Sequence, residues 1–286
     1  MNKRFNLHLL TNNLPKAKKY RVLSKEKITE YLKQRSFIKY VHEDSNYRFN
    51  KDVIAVYNFE GQLLNGKYAS FIIDAKKGFI LSKKTPKRML HHMFNHQLLA
   101  NVSLQKMINQ ILNIKFHHGV SLWQYAFASI NGYCDKSSDW VGLHQMVDYK
   151  CKACSVVLTS KKIHGVQYQF VFEHGQKHFA KRLNEAITHN WVMSKLIENT
   201  IAQHGWHIHE CGKISQEKTL LTNEDCLIKK DIVKDDEHLL KELVDQMRHA
   251  CYENFGKAMF SDLGMEFNMD DFNHIKRKAE RKLSIM

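Results

Sequence analysis

A chain of 286 residues, 43% hydrophobic and 26% charged, with two prolines and twelve glycines, has apolar surface enough for a sizeable core and too few breakers for long disordered linkers. No apolar run approaches the roughly 18 residues of a membrane span, and the opening MNKRFNLHLLTNN lacks the apolar segment of a secretory signal, so membrane-embedded and exported classes are set aside and a cytoplasmic location is expected. Lys and Arg number 44 against 29 Asp and Glu, a net charge of +15 that favours polyanionic partners, since each phosphate neutralised releases a condensed counterion.

The first fifty residues are basic and mostly helical in pattern. Ser24 suits an N-cap, and Ile28, Tyr31, Leu32 and Phe37 follow at near-helical spacing. DVIAVYNF, KYASFIID and GFILS are β-rich runs separated by Gly and Lys turns, which predicts an antiparallel meander over 52–82. Thr85-Pro86 then opens a helix in the favoured cap-then-proline order, with Met89, Leu90, Met93, Phe94 and Leu98 as its apolar stripe. Ser103 suits the cap of the next helix.

Strand-like text returns after residue 138 in DWVGLHQMVDYK, CSVVLTS and IHGVQYQFVFEHG. A helical pattern over about 177–203 carries Phe179, Leu183, Ile187, Trp191, Leu196 and Ile197, with Gly205 at its C-terminal side. WHIHECGKI reads as a strand, and two more helical patterns close the chain. The fold class expected is α+β, an antiparallel sheet flanked by helices with a basic helical and β-meander N-terminal region. The boundary is expected near 115–138, giving units 1–115 and 116–286.

Three constellations carry possible chemistry. In GWHIHECG, His207, His209 and Cys211 would share one face of a strand, so the two imidazoles either hold a divalent ion together with a third ligand or are ordinary strand histidines. The six cysteines include Cys151 and Cys154, a CxxC that supplies half of a zinc site, with Cys134, His144, His164 or His174 as candidates to complete it. The clusters KAKKY, KKTPKR and IKRKAERK offer Lys16, Lys18, Lys19, Lys83, Lys84, Lys87, Arg88, Lys276, Arg277 and Lys278 to phosphates, and Tyr20 to unpaired bases. His91, His92, His96, His117 and His118 read as satisfied helix-face histidines.

The GWHIH stretch, followed by one downstream tyrosine on a helical pattern, resembles the rolling-circle replication initiators, members of the HUH endonuclease superfamily. The resemblance spans about 165–260 and implies a metal-dependent nicking enzyme for single-stranded or melted DNA. It implies His207 and His209 as ligands of Mg²⁺ or Mn²⁺, Glu198 as a third ligand, Tyr252 as nucleophile and Lys257 as a phosphate-positioning cation. Glu210 and Cys211 stand where that family usually continues with apolar residues. The alternative is a non-catalytic nucleic-acid-binding regulator, with Zn²⁺ held structurally at the CxxC.

Overall fold

The computed structural model describes residues 13–96, 102–114, 119–131, 138–175, 177–203 and 218–223, with isolated positions beyond residue 240. The chain divides into two units, Met1–Lys230 and Asp231–Met286, and every element named below belongs to the first.

A two-residue strand β1 (Val22–Leu23) leads into α1 (Lys25–Tyr31), which starts where a hydroxyl can satisfy an orphan amide: Ser24 Oγ accepts from Lys27 N at 3.3 Å. After α2 (Arg35–Ile38) comes a short strand β2 (Val41–Glu43). The predicted meander follows as β3 (Val53–Asn58), β4 (Ser70–Asp74) and β5 (Gly78–Ser82). Its last hairpin closes because Asp74 Oδ1 accepts from Lys76 N and Lys77 N, both at 2.8 Å, while Gly78 takes φ +80°. Two helices, α3 (Pro86–His96) and α4 (Val102–Ile111), precede β6 (Gly119–Ser121), β7 (Ala126–Ser129) and β8 (Trp140–Gly142). Then come β9 (Met146–Cys151), β10 (Ser155–Ser160), β11 (Gln169–Glu173) and the long α5 (Phe179–Gln203).

These strands make two sheets, a four-stranded one in the order β1-β11-β10-β9 and a seven-stranded one in the order β2-β5-β4-β3-β8-β7-β6. Both are antiparallel except at one edge, where β1 runs parallel to β11 and β2 parallel to β5. The fold is therefore α+β. The boundary expected at 115–138 falls inside the seven-stranded sheet, because β3 pairs with β8 through Ala55 and Val141. Strands from both sides of residue 115 share one hydrogen-bonded ladder, so 1–115 has no separate sheet of its own.

The seven-stranded sheet is covered on both faces. One face joins the four-stranded sheet and α5 in a core that includes Tyr57, Phe71, Ile73, Leu158, Phe170, Phe172, Phe179 and Leu183. Tyr57 stacks on Phe172 at 4.8 Å between ring centroids and donates its hydroxyl to Leu23 O at 2.8 Å. Against the other face, α3 lays Met89, Leu90 and Met93 onto Val56, Ile72, Ile80, Phe127 and Trp140. Double coverage explains why β3, β4 and β5 are wholly buried and mostly apolar, whereas β10 alternates between buried and half-buried positions. Asp139 links α1 to this sheet, accepting from Asn58 N at 2.7 Å and Lys25 Nζ at 2.9 Å.

Candidate nucleic-acid interface

The strongest electrostatic feature is an absence of acid. Between Asp74 and Asp135 the chain contains eight Lys and Arg residues and no Asp or Glu, so this span alone carries +8 of the net +15. It includes the β4–β5 turn, α3 and α4.

Within the span, α3 has two unlike faces. Pro86, Met89, Leu90 and Met93 are buried, while Lys87, Arg88, His91, Asn95 and His96 are exposed and His92 is half-exposed. The start of the helix is fixed: Thr85 Oγ1 accepts from Arg88 N at 3.3 Å, and Pro86 occupies the first turn, where its missing amide costs nothing. The turn before it is equally set, with Ser70 Oγ donating to Lys84 O at 2.7 Å and Ser82 Oγ accepting from Lys84 N at 3.2 Å. Lys83 and Lys84 are thus held beside Lys87 and Arg88 by backbone contacts that leave the ammonium groups available. None of Lys83, Lys84, Lys87, Arg88 or Lys106 takes part in the ion pairs found among the described residues, whereas Lys76 and Lys77 are matched by Asp52 and Asp44.

The N-terminal basic cluster is exposed at Lys16, Lys18 and Lys19. Tyr20 is not available to bases, contrary to expectation: it is 2% exposed, packed on Tyr31 at 5.1 Å and Phe37 at 5.0 Å. An aromatic that anchors a helix pair cannot also stack on a ligand. Lys276, Arg277 and Lys278 lie outside the described residues.

His207, His209, Tyr252 and Lys257 lie outside the described residues. Glu198 sits on α5, exposed, with its carboxylate 3.7 Å from Lys195 Nζ one turn away. Cys151 and Cys154 are exposed free thiols at the tip of the β9–β10 hairpin, where His174 N donates to Cys154 O at 2.8 Å. Among the described residues no three His, Cys, Asp or Glu side chains converge as a metal site. His144 does not complete the CxxC, because its ring nitrogens face Lys51 O at 2.8 Å and Ala126 O at 3.2 Å. Burial holds that imidazole down at about 4, against the opposing pull of the two carbonyls. Cys134, His117 and His118 lie outside the described residues.

Two histidine arrangements escaped sequence reading. On α3, His92 and His96 stack with ring centroids 3.9 Å apart and planes 4° from parallel. Desolvation, then the neighbouring His96, Arg48 and Lys84, hold His92 below its ordinary value. In the interior, His189 of α5 has Nδ1 2.8 Å from Ser121 Oγ and Nε2 3.1 Å from Gln105 O. Gln105 in turn clamps the Ser121 backbone, donating to its carbonyl at 2.7 Å and accepting from its amide at 3.1 Å. With Ser121 1% and His189 5% exposed, this Ser–His contact joins α4, β6 and α5 and is sealed from any substrate. The i,i+4 spacing of the first pair is readable in the sequence, but neither arrangement's hydrogen bonding is.

No helix among the described residues is long and apolar enough to cross a membrane. No family model matches the chain, and no curated protein or solved structure matches it.

Proposed function

We propose that this protein binds DNA, using the Lys83–Lys84 turn and the outer face of α3 as its principal contact. The observation that carries the reading is the acid-free span from residue 75 to 134, whose exposed helix face is made of Lys87, Arg88, His91, Asn95 and His96. A duplex or single strand presents closely spaced phosphates, and cations unmatched by carboxylates gain most from displacing its counterions. Arg88, His91 and Asn95 are spaced about one turn apart along the helix, and Arg and Asn are the side chains best shaped for the edges of guanine and adenine. The reading needs no catalytic step and corresponds to a regulator or an accessory DNA-binding protein.

The test is the salt dependence of binding to single-stranded and duplex DNA, for the parent and for a Lys83→Glu, Lys87→Glu, Arg88→Glu triple variant. Losing three phosphate contacts is expected to reduce the slope of log affinity against log salt by about 3 for duplex. A Lys150→Glu, Lys152→Glu, Lys181→Glu triple variant, at exposed positions outside this span, serves as the charge-matched control and should lose far less. Equal loss in both variants would make the attraction merely global.

A nicking activity is a second reading, favoured by the His207-Ile208-His209 stretch and the downstream Tyr252. It predicts a covalent protein–DNA adduct in the presence of Mn²⁺ that disappears in Tyr252→Phe. If neither protein forms an adduct while both bind DNA, the non-catalytic reading stands alone.

A further inference from the structure

The last turn of α3 offers a second chemistry, independent of whether the protein binds DNA. His92 and His96 are four residues apart on the helix, which places one imidazole directly above the other, and their rings are already in face-to-face contact at 3.9 Å. The nitrogen assignment of the lower ring follows from its partner. His96 Nδ1 lies 2.8 Å from His92 O, and a carbonyl can only accept, so Nδ1 carries the proton and Nε2 carries the lone pair. An imidazole whose Nδ1–H is spent on a backbone carbonyl is oriented and polarised as metal-binding histidines are, with its other nitrogen ready to donate. His96 is exposed and His92 half-exposed, so an ion and its waters can reach the pair.

The neighbourhood of His92 favours its neutral ring. Desolvation and the adjacent charges of His96, Arg48 and Lys84 all disfavour a proton on His92. The same neighbourhood selects among ions. No carboxylate occurs between Asp74 and Asp135, so the oxygen ligands that Mg²⁺ and Ca²⁺ require are not supplied by this segment, whereas imidazole suits nickel, copper and zinc.

We infer that His92 and His96 form a two-imidazole chelate on the outer face of α3 for a divalent ion of the nickel, copper and zinc class, with water completing its coordination. A rotation about the His92 side-chain torsions converts stacked faces into convergent nitrogens without moving the helix. His91, the adjacent ring, is excluded by its own contact: Asn95 Nδ2 lies 3.2 Å from His91 Nδ1, and an amide NH₂ can only donate, which leaves the proton on His91 Nε2.

The experiment uses the full chain, stripped with a chelator and titrated with Ni²⁺, read by histidine ring resonances and by calorimetry. Paramagnetic Ni²⁺ should broaden the His92 and His96 ring signals at less than one equivalent. His92→Ala and His96→Ala should each weaken that event by at least about tenfold, the lower bound seen when even an outer partner of a metal ligand is lost. His91→Ala, on the same helix, should keep it. The inference fails if the His92 and His96 signals stay sharp at one equivalent, or if His96→Ala binds Ni²⁺ at the same resonances with parental affinity. It also fails if His91→Ala loses the event as fully as the other two variants, since the pair is then not the ligand set. Binding of Ni²⁺ elsewhere shifts other resonances and is thereby told apart.

Discussion

At the scale of single residues, His144 and Gly142 depend on each other. A Cβ on Gly142 would lie 2.5 Å from Val53 O and 2.9 Å from His144 Cε1, closer than real Cβ contacts permit, and the first neighbour is backbone that cannot rotate away. Gly142→Ala is therefore expected to destabilise the protein by about 2 kcal/mol, as overpacked core sites do, measured as a lower urea midpoint at unchanged slope. His144 has a pH signature. Its native value near 4 lies below the ordinary 6.5, so the neutral ring is favoured by folding. Above pH 6.5 the contribution is complete; as pH falls from 6.5 towards 4 the unfolded chain takes a proton that the native state refuses, and stability drops. The loss between about pH 7 and about pH 5 should approach 2 kcal/mol, from 1.36 kcal/mol per unit. His42 is shifted in the same direction, chiefly by burial, so the test is the part of the slope that disappears in His144→Gln.

Among the elements, β6 shows why some of the fold was hidden in the sequence. The meander over β3–β5 was legible because long β-branched and aromatic runs alternate with Gly and Lys turns. Strands of two to four residues, such as Val22–Leu23, Gly119–Ser121 and Ala126–Ser129, are too short to establish a period, and the latter two consist largely of Gly, Ala and Ser. What fixes β6 is tertiary: Gly119 lets α5 approach, since a Cβ there would meet Ala186 Cβ at 3.0 Å, and the Ser121–His189–Gln105 network ties α4 and α5 to its end. Ser121→Ala should cost about 1–2 kcal/mol, because Nδ1 of a buried imidazole loses its hydroxyl partner. Hydrogen exchange should quicken in β6 and β7 in that variant while amides of β4 and β5 keep their protection; uniform loss across the sheet would argue against a local tie.

For the molecule as a whole, the charge total was legible and its distribution was not. The basic clusters stood out as runs, yet a stretch lacking acids gains meaning only once α3 shows which side chains face outward. Of the residues these runs singled out, Lys83, Lys87 and Arg88 are exposed and Lys84 is half-buried, while Tyr20 is buried because its place in an aromatic cluster depends on residues farther along the chain. A distribution of this kind predicts that a Lys84→Glu, Lys106→Glu double variant will lose more DNA affinity than a Lys76→Glu, Lys77→Glu variant of equal charge change, because Asp52 and Asp44 already match the latter pair. Measured at constant ionic strength, equal losses in the two variants would place the contact elsewhere.

The two-residue strand β1 has a protective consequence out of proportion to its length. Arg21 O accepts from Gln169 N at 2.7 Å, Pro15 O accepts from Tyr168 hydroxyl at 3.1 Å, and Val22 and Leu23 cover the rim of β11. Clipping the chain just before Ser24 would leave that rim with open amides and carbonyls beside an apolar interior, a template for another copy's strand. The leader segment thus works as a guard against self-templating, and a nicked preparation would be expected to precipitate before it unfolds.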